Sequence, residues 1–449
     1  MIERYTPREM KLVWSDKRKL DTWLEVELAI VGALAREGRV PRAAAARIRR
    51  RARYDQRRVE EIEGIIKHDV LAFVESVCER LGADSRYFHM GVTSSDILDT
   101  ALALVLRDAT RLVTAELAAL RRTVAGLARK HRATLVIGRT HGMHAEPTTL
   151  GLKFAVWYND LGRAIARIER AGAAVEFGKV SGAVGNYSHI SPRAETIALT
   201  SLGLAAERPA TQIVQRDRHA DYVASLALAA ASLERIALEL RSLQRTEVAE
   251  MEEPFTRGQK GSSSMPHKRN PIVLERVCGL ARLVRGHSVA AMENVALWHE
   301  RDISHSSVER VILPDATIAV HYMARCLTDV LRGIKIDRAR MRANLDMTSG
   351  RVYSQRLMLL LMEAGWTRKR AYEAIQAIAA RAESEGEHLS DAASRDRRIA
   401  AALPRHRIVE VFDPSFYGRY TDRVLKEIGI LPGAKVAGKN RRKRARSGR

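Results

Sequence analysis

The 449-residue chain is 46% hydrophobic and 5% aromatic, with a formal net charge of +23. It is long enough for a large core and more than one domain, and no apolar run approaches the roughly 20 residues that cross a bilayer, so no membrane-spanning helix is expected. Cys78, Cys278 and Cys326 are too few and too scattered for a disulfide framework or a zinc ribbon, so a cytoplasmic protein is expected.

Residues 1–92 read as short helices broken near Gly38, Pro41, Gly64 and Gly82, and Met1 to Pro7 has no apolar segment of signal-peptide type. Three longer stripes follow. The first runs through Leu106, Leu117, Leu120 and Val124, the second through Tyr222, Leu226, Leu233, Ile236 and Leu240, and the third through Val277, Leu280, Val284, Val289, Met292 and Val295. Each exceeds twenty residues without a proline. Long helices with one apolar stripe pack side by side, so the expected fold is all-α with a bundle at its centre. Beyond residue 345 come shorter amphipathic pieces, Ser354 to Ala364 and Arg368 to Ala382, divided further on by Pro404, Pro414 and Pro432. The expected organisation is three helical domains, 1–92, 93–344 and 345–432, then a disordered tail at 433–449.

That tail holds eight Lys or Arg and no acid, and its removal takes the net charge from +23 to +15. Elsewhere the arginines lie along helical segments, as in Arg47 to Arg53, and not among aromatics as a stacking surface needs. Non-specific polyanion binding by the tail is expected, in a field that also suits a small anionic substrate.

Five polar clusters interrupt the helical background: Lys67-His68-Asp69, His89 to Asp96, Gly138 to Thr149, Gly258 to Pro271, and Trp298 to Arg310. In the second, Thr93 to Ser95 also suits a helix cap. His141 and His144 lack the spacing of a zinc motif, and no metal is expected. Gly172 to Val180 misses the phosphate-loop pattern because Val180 follows Lys179; with Gly182 and Gly185 it reads as a tight loop. No Gly-x-Ser-x-Gly elbow is present, which leaves general acid–base chemistry without a cofactor. The fourth cluster, Gly258-Gln-Lys-Gly-Ser-Ser-Ser-Met-Pro-His-Lys-Arg-Asn-Pro271, fits that chemistry best, with hydroxyls, an imidazole and two cations between glycines and prolines.

Residues 261–271 resemble the signature G-S-S-x-M-P-x-K-x-N-P of the fumarase/aspartase superfamily at every fixed position. Gly138-Arg-Thr-His141 and Thr93-Ser94-Ser95-Asp96 resemble its other two blocks. Within it the chain is most similar to the bacterial adenylosuccinate lyase family, through Ile-Glu-Arg-Tyr at 2–5, Lys-His-Asp at 67–69, Thr211-Gln212 followed by the run 215–222, and Trp-His-Glu-Arg-Asp at 298–302. The resemblance implies a carbon–nitrogen lyase that releases fumarate from adenylosuccinate, giving AMP, and from succinylaminoimidazole carboxamide ribotide, giving AICAR, in purine biosynthesis. Another fumarate-releasing lyase, such as argininosuccinate lyase, and a helical nucleic-acid-binding protein are the alternatives.

The resemblance also implies roles. Ser262 is the base and His141 the acid, with the serine alkoxide helped by backbone N–H groups through the loop glycines. Lys268 and Asn270 hold the carbanion, and His68 and His89 are further site histidines. Arg4, Tyr5, Arg301, Ser306 and Arg310 contact phosphate; Thr93, Ser94 and Gln212 contact the succinyl or base portion; Asp69 and Lys67 complete the set, Lys67 standing where the family often has arginine. A homotetramer with a shared helical core and active sites built from several chains is implied, with no cofactor.

Overall fold

The computed structural model describes residues 1–432, and the basic tail at 433–449 lies outside the described residues. Two compact units emerge. The first comprises Met1–Leu120, Leu161–Leu238 and Ile272–Asp329; the second comprises Arg121–Asp160, Glu239–Pro271 and the chain from Val330 onward.

Helix dominates as expected, through five long elements: Ser94–Lys130, Leu150–Ala174, Asp217–Gln244, Ile272–Glu293 and Ser304–Gly333. The stripe residues Leu106, Leu117, Tyr222, Leu226, Leu233, Val277 and Leu280 are all buried. Two long helices were not legible. Leu150–Ala174 lies between polar stretches, and Ser304–Gly333 carries Pro314 inside it and begins within the fifth polar cluster. The third stripe ends early, because the helix stops at Glu293 and Val289, Met292 and Val295 stand exposed.

Inside the first unit the long helices are tied by side-chain hydrogen bonds, one buried and one half-buried. Thr110 and Tyr222 share a hydroxyl hydrogen bond of 2.8 Å, and Arg276 donates to the Tyr322 hydroxyl at 2.7 Å. The shorter helices near the N-terminus bury Trp23 against Phe73 edge to face, with ring centroids 5.6 Å apart. The break expected at Gly64 falls instead at Lys67: Gly64 continues the helix Gln56–Ile66, and Lys67 takes the left-handed conformation that ends it. Lys179, the lysine of the near-miss phosphate loop, is fully buried and paired with Asp96.

The second unit departs from all-helix locally. Strands β1 (Leu135–Thr140) and β2 (Met143–Thr149) form an antiparallel hairpin. A separate apolar cluster around Leu357, Leu361, Trp366, Ile375 and Leu389 packs the shorter C-terminal helices, Ser354–Glu363 and Arg368–Ser384 among them.

Candidate active site

In the second unit, His141 and Gly142 form the two-residue tip of the β1–β2 hairpin, between the paired Thr140 and Met143. Both have positive φ, 54° and 77°, as a primed hairpin turn requires. Glycine accepts that conformation without strain; His141 adopts it as one of few non-glycine residues to do so. One register step below, Arg139 clamps the fully buried Glu250 with two bonds of 2.7 and 3.1 Å, and Asn344 donates to the same carboxylate at 2.8 Å. This buried network fixes the hairpin and leaves the His141 imidazole exposed at its tip.

The serine loop lies in the same unit and folds back on itself. A Cβ on Gly261 would fall 2.1 Å from the Lys268 carbonyl oxygen, so only glycine lets the two arms meet. Gln244 holds the loop's foot, accepting the Glu253 N–H at 2.8 Å and donating to the Arg269 carbonyl at 3.1 Å. The Ser262 hydroxyl oxygen accepts the backbone N–H of Ser264 at 3.3 Å and of Met265 at 3.1 Å. The donors at this oxygen are the N–H groups of the two residues that follow Ser263, neither of them a glycine. Lys268 is exposed and Asn270 half-buried on the returning arm.

The first unit gathers the remaining site residues around polar backbone ends. His68 caps the helix Asp69–Cys78, its Nδ1 accepting the Leu71 N–H at 3.3 Å. Asp69 accepts from Arg310 at 2.7 Å; burial opposes its ionisation, but Arg310 outweighs it and holds the carboxyl below its usual range. Lys67 turns back to the Gly64 carbonyl. His89, also at positive φ, sets Nδ1 2.6 Å from the fully buried carboxylate of Glu27. Burial disfavours its charge, yet the Glu27 hydrogen bond and charge raise its pKa above the ordinary histidine value.

Thr93 precedes the helix Ser94–Lys130, and its N–H reaches Asp96 Oδ2 at 2.8 Å, a cap built by the acid three residues on. Asp96 Oδ1 also accepts the N–H groups of Ser181 and Gly182 at 3.1 and 3.3 Å and bonds the Lys179 ammonium.

A cavity of about 390 Å³ in this unit is lined by Arg301, Ser306 and Arg310, three of the residues expected to contact phosphate. Arg301 donates to Gln212 Oε1 at 2.9 Å, which joins another expected contact to the group. Arg4 and Tyr5 are not among the lining residues; Tyr5 packs instead on Tyr322 at 5.4 Å, with the Arg276 guanidinium 5.7 Å from its ring centre.

Asp99, Arg216, His305 and Glu309, to which the sequence assigns no role, line the same cavity as a buried polar cluster. His305 is depressed to about 4 by burial and by Arg216, and His219 to about 3 by the same two causes, so both imidazoles stay neutral beside that guanidinium. Acids at buried helix positions were the available signal, but each looks like an ordinary surface charge in isolation.

The family relationship follows from the chain as a whole. A family model described as Lyase matches residues 4–286, and one described as Adenylosuccinate lyase C-terminus matches 350–428. The adenylosuccinate lyase of Thermotoga maritima is 46% identical over 95% of this chain and 99% of its own length. The chain belongs to the adenylosuccinate lyase family. A second family member, from Synechocystis, is 49% identical over 92% of this chain and 96% of its own. Among solved structures, one described as a fumarate lyase from a Mesorhizobium species superposes with a TM-score of 0.86 at 27% identity, covering 95% of this chain and 99% of that one.

Proposed function

We propose that this protein cleaves adenylosuccinate to AMP and fumarate, and succinylaminoimidazole carboxamide ribotide to AICAR and fumarate, by β-elimination without a cofactor. The observation that carries the reading is Ser262: its oxygen sits on two backbone N–H groups within a loop that also bears Lys268 and Asn270. A serine is a weak base at its ordinary pKa, and preorganised donors at its oxygen favour the alkoxide. Ser262 takes the Cβ proton of the succinyl group. Lys268 and Asn270 hold the extra negative charge of the resulting carbanion, and the C–N bond breaks as His141 protonates the departing nitrogen. Arg301, Ser306 and Arg310 offer charge and hydrogen bonds for phosphate, and a guanidinium fork suits that group. Thr93, Ser94 and Gln212 take the succinyl or base portion, and Arg4, Tyr5, Lys67, His68, Asp69 and His89 complete the site.

The same proposal includes a homotetramer with active sites shared between chains. Large apolar side chains left exposed on the long helices, Leu228, Leu283, Val289, Met292 and Val311 among them, support a helical core completed by other copies. A division into three helical domains, 1–92, 93–344 and 345–432, belongs to the same reading, and the C-terminal apolar cluster supports the last. Three free cysteines fit a cytoplasmic setting.

The test is to incubate EDTA-treated protein with adenylosuccinate and, separately, with argininosuccinate, and to quantify fumarate. Release from adenylosuccinate alone is expected. Release only from argininosuccinate would keep the chemistry and overturn the substrate.

A further inference from the structure

Arg216 is 3% exposed, and all three of its guanidinium nitrogens are bonded inside the first unit. Nη1 and Nη2 donate to the two oxygens of Asp99 at 2.6 and 2.9 Å. Nε and Nη2 donate to those of Glu309 at 2.9 and 3.1 Å. Nη1 also donates to the Val214 carbonyl at 2.7 Å, and the Val214 N–H returns to Asp99 at 2.8 Å. Two carboxylates are thus gripped by one planar fork, a geometry an ammonium does not reproduce.

Asp99 and Glu309 belong to different pieces of the cavity wall, and Val214 lies two residues from Gln212, which bonds the lining residue Arg301. Asp99 lies on the helix Ser94–Lys130, one turn after Ser95, which lines the cavity too. Glu309 lies near the start of the helix Ser304–Gly333, three residues after Ser306 and one before Arg310. Val214 follows Gln212 by two residues, and Gln212 holds Arg301 at 2.9 Å. Stability alone is a poor reason for such a cluster, because apolar residues of similar volume usually serve as well or better. The three charged groups also border the cavity itself.

We propose that Arg216 is a positioning residue for substrate binding, holding Gln212, Arg301, Ser306 and Arg310 in one arrangement that receives a phosphate-bearing ligand. Its own charge is more than offset by the Asp99 and Glu309 carboxylates, so Arg216 shapes the site while the guanidinium of Arg301, bonded to Gln212, and that of Arg310, bonded to Asp69, attract the anion. The inference rests on the functional reading above and adds the group that sets the geometry of its phosphate end. Binding groups that act equally on substrate and transition state alter KM and leave kcat nearly unchanged.

The experiment compares wild type, Arg216→Lys and Glu309→Gln as full-length proteins. It measures fumarate release over a range of adenylosuccinate concentrations, and AMP affinity by calorimetry. Each variant is expected to raise KM and weaken AMP binding at least ~10-fold, equivalent to about 1.4 kcal/mol, with kcat within about 3-fold of wild type. Glu309→Gln is nearly isosteric and keeps the test open if Arg216→Lys does not fold. Unchanged AMP affinity in folded variants overturns the proposal, even if their melting temperature drops, because that is the mark of a merely structural role. A fall in kcat at constant KM overturns it as well. If wild type releases no fumarate, the functional reading falls separately; the AMP titration still decides the positioning, and absence of AMP binding by wild type also overturns it.

Discussion

The Ser262 hydroxyl oxygen accepts the backbone N–H of Met265 at 3.1 Å, three residues further along the same loop. With the Ser264 N–H at 3.3 Å, this gives the oxygen two fixed donors whose positions are set by the backbone. Ser262→Ala is expected to lower turnover at least ~100-fold while the helical circular-dichroism signal stays intact. Near-normal fumarate release by the variant would remove Ser262 from the proton-transfer step.

His141 owes its position to the hairpin tip. His141→Gln is expected to cut turnover at least ~100-fold as well. Gly142→Ala places a side chain at φ 77° and should cost about 1–2 kcal/mol of local stability, read as a lower melting temperature. Mixing His141→Gln with Lys268→Ala after verified subunit exchange should restore part of the activity. A mixture that stays inactive argues against sites shared between chains.

Lys179 and Asp96 form an ion pair in which both side chains are fully buried. Lys179→Met is expected to destabilise the protein by about 3–5 kcal/mol in denaturant unfolding, because the Asp96 carboxylate loses its buried counter-charge. Adding Asp96→Asn should recover a large part of that loss. A single-variant effect below about 1 kcal/mol would show that water or backbone N–H groups suffice for Asp96.

The histidines carry opposite signs of pH dependence. The folded pKa of His89 is raised, so the stabilisation from its contact with Glu27 is present below the ordinary value of 6.5 and is lost as pH rises through the folded value. The melting-temperature gap between wild type and Glu27→Gln should therefore be wider near about pH 6 than near about pH 9. A gap that is constant or grows with pH would mean the imidazole is neutral throughout. His305 is depressed to about 4, so its contribution is present above 6.5 and lost as pH falls towards that lower value.

The amino-acid sequence by itself determined the helical character, most of the long stripes and the serine loop. Helix periodicity is a local property, written into neighbouring residues such as Tyr222, Leu226 and Leu233 that share one face. Proline and glycine marked the breaks correctly at Pro41 and Pro404, whereas the break expected near Gly64 falls three residues later, at the left-handed Lys67. The helix from Ser304 was hidden because Pro314 and a polar first turn mask its period. Strand β1 was hidden because six residues interrupted by Gly138 are too short to show alternation. Only the tertiary structure decided the electrostatics beneath the site. Asp99 meets Arg216 across 117 positions of sequence, and Arg216 meets Glu309 across 93. No local pattern encodes such pairs: each charge resembles a solvated one until folding removes the water around it, and burial then makes its partner a requirement.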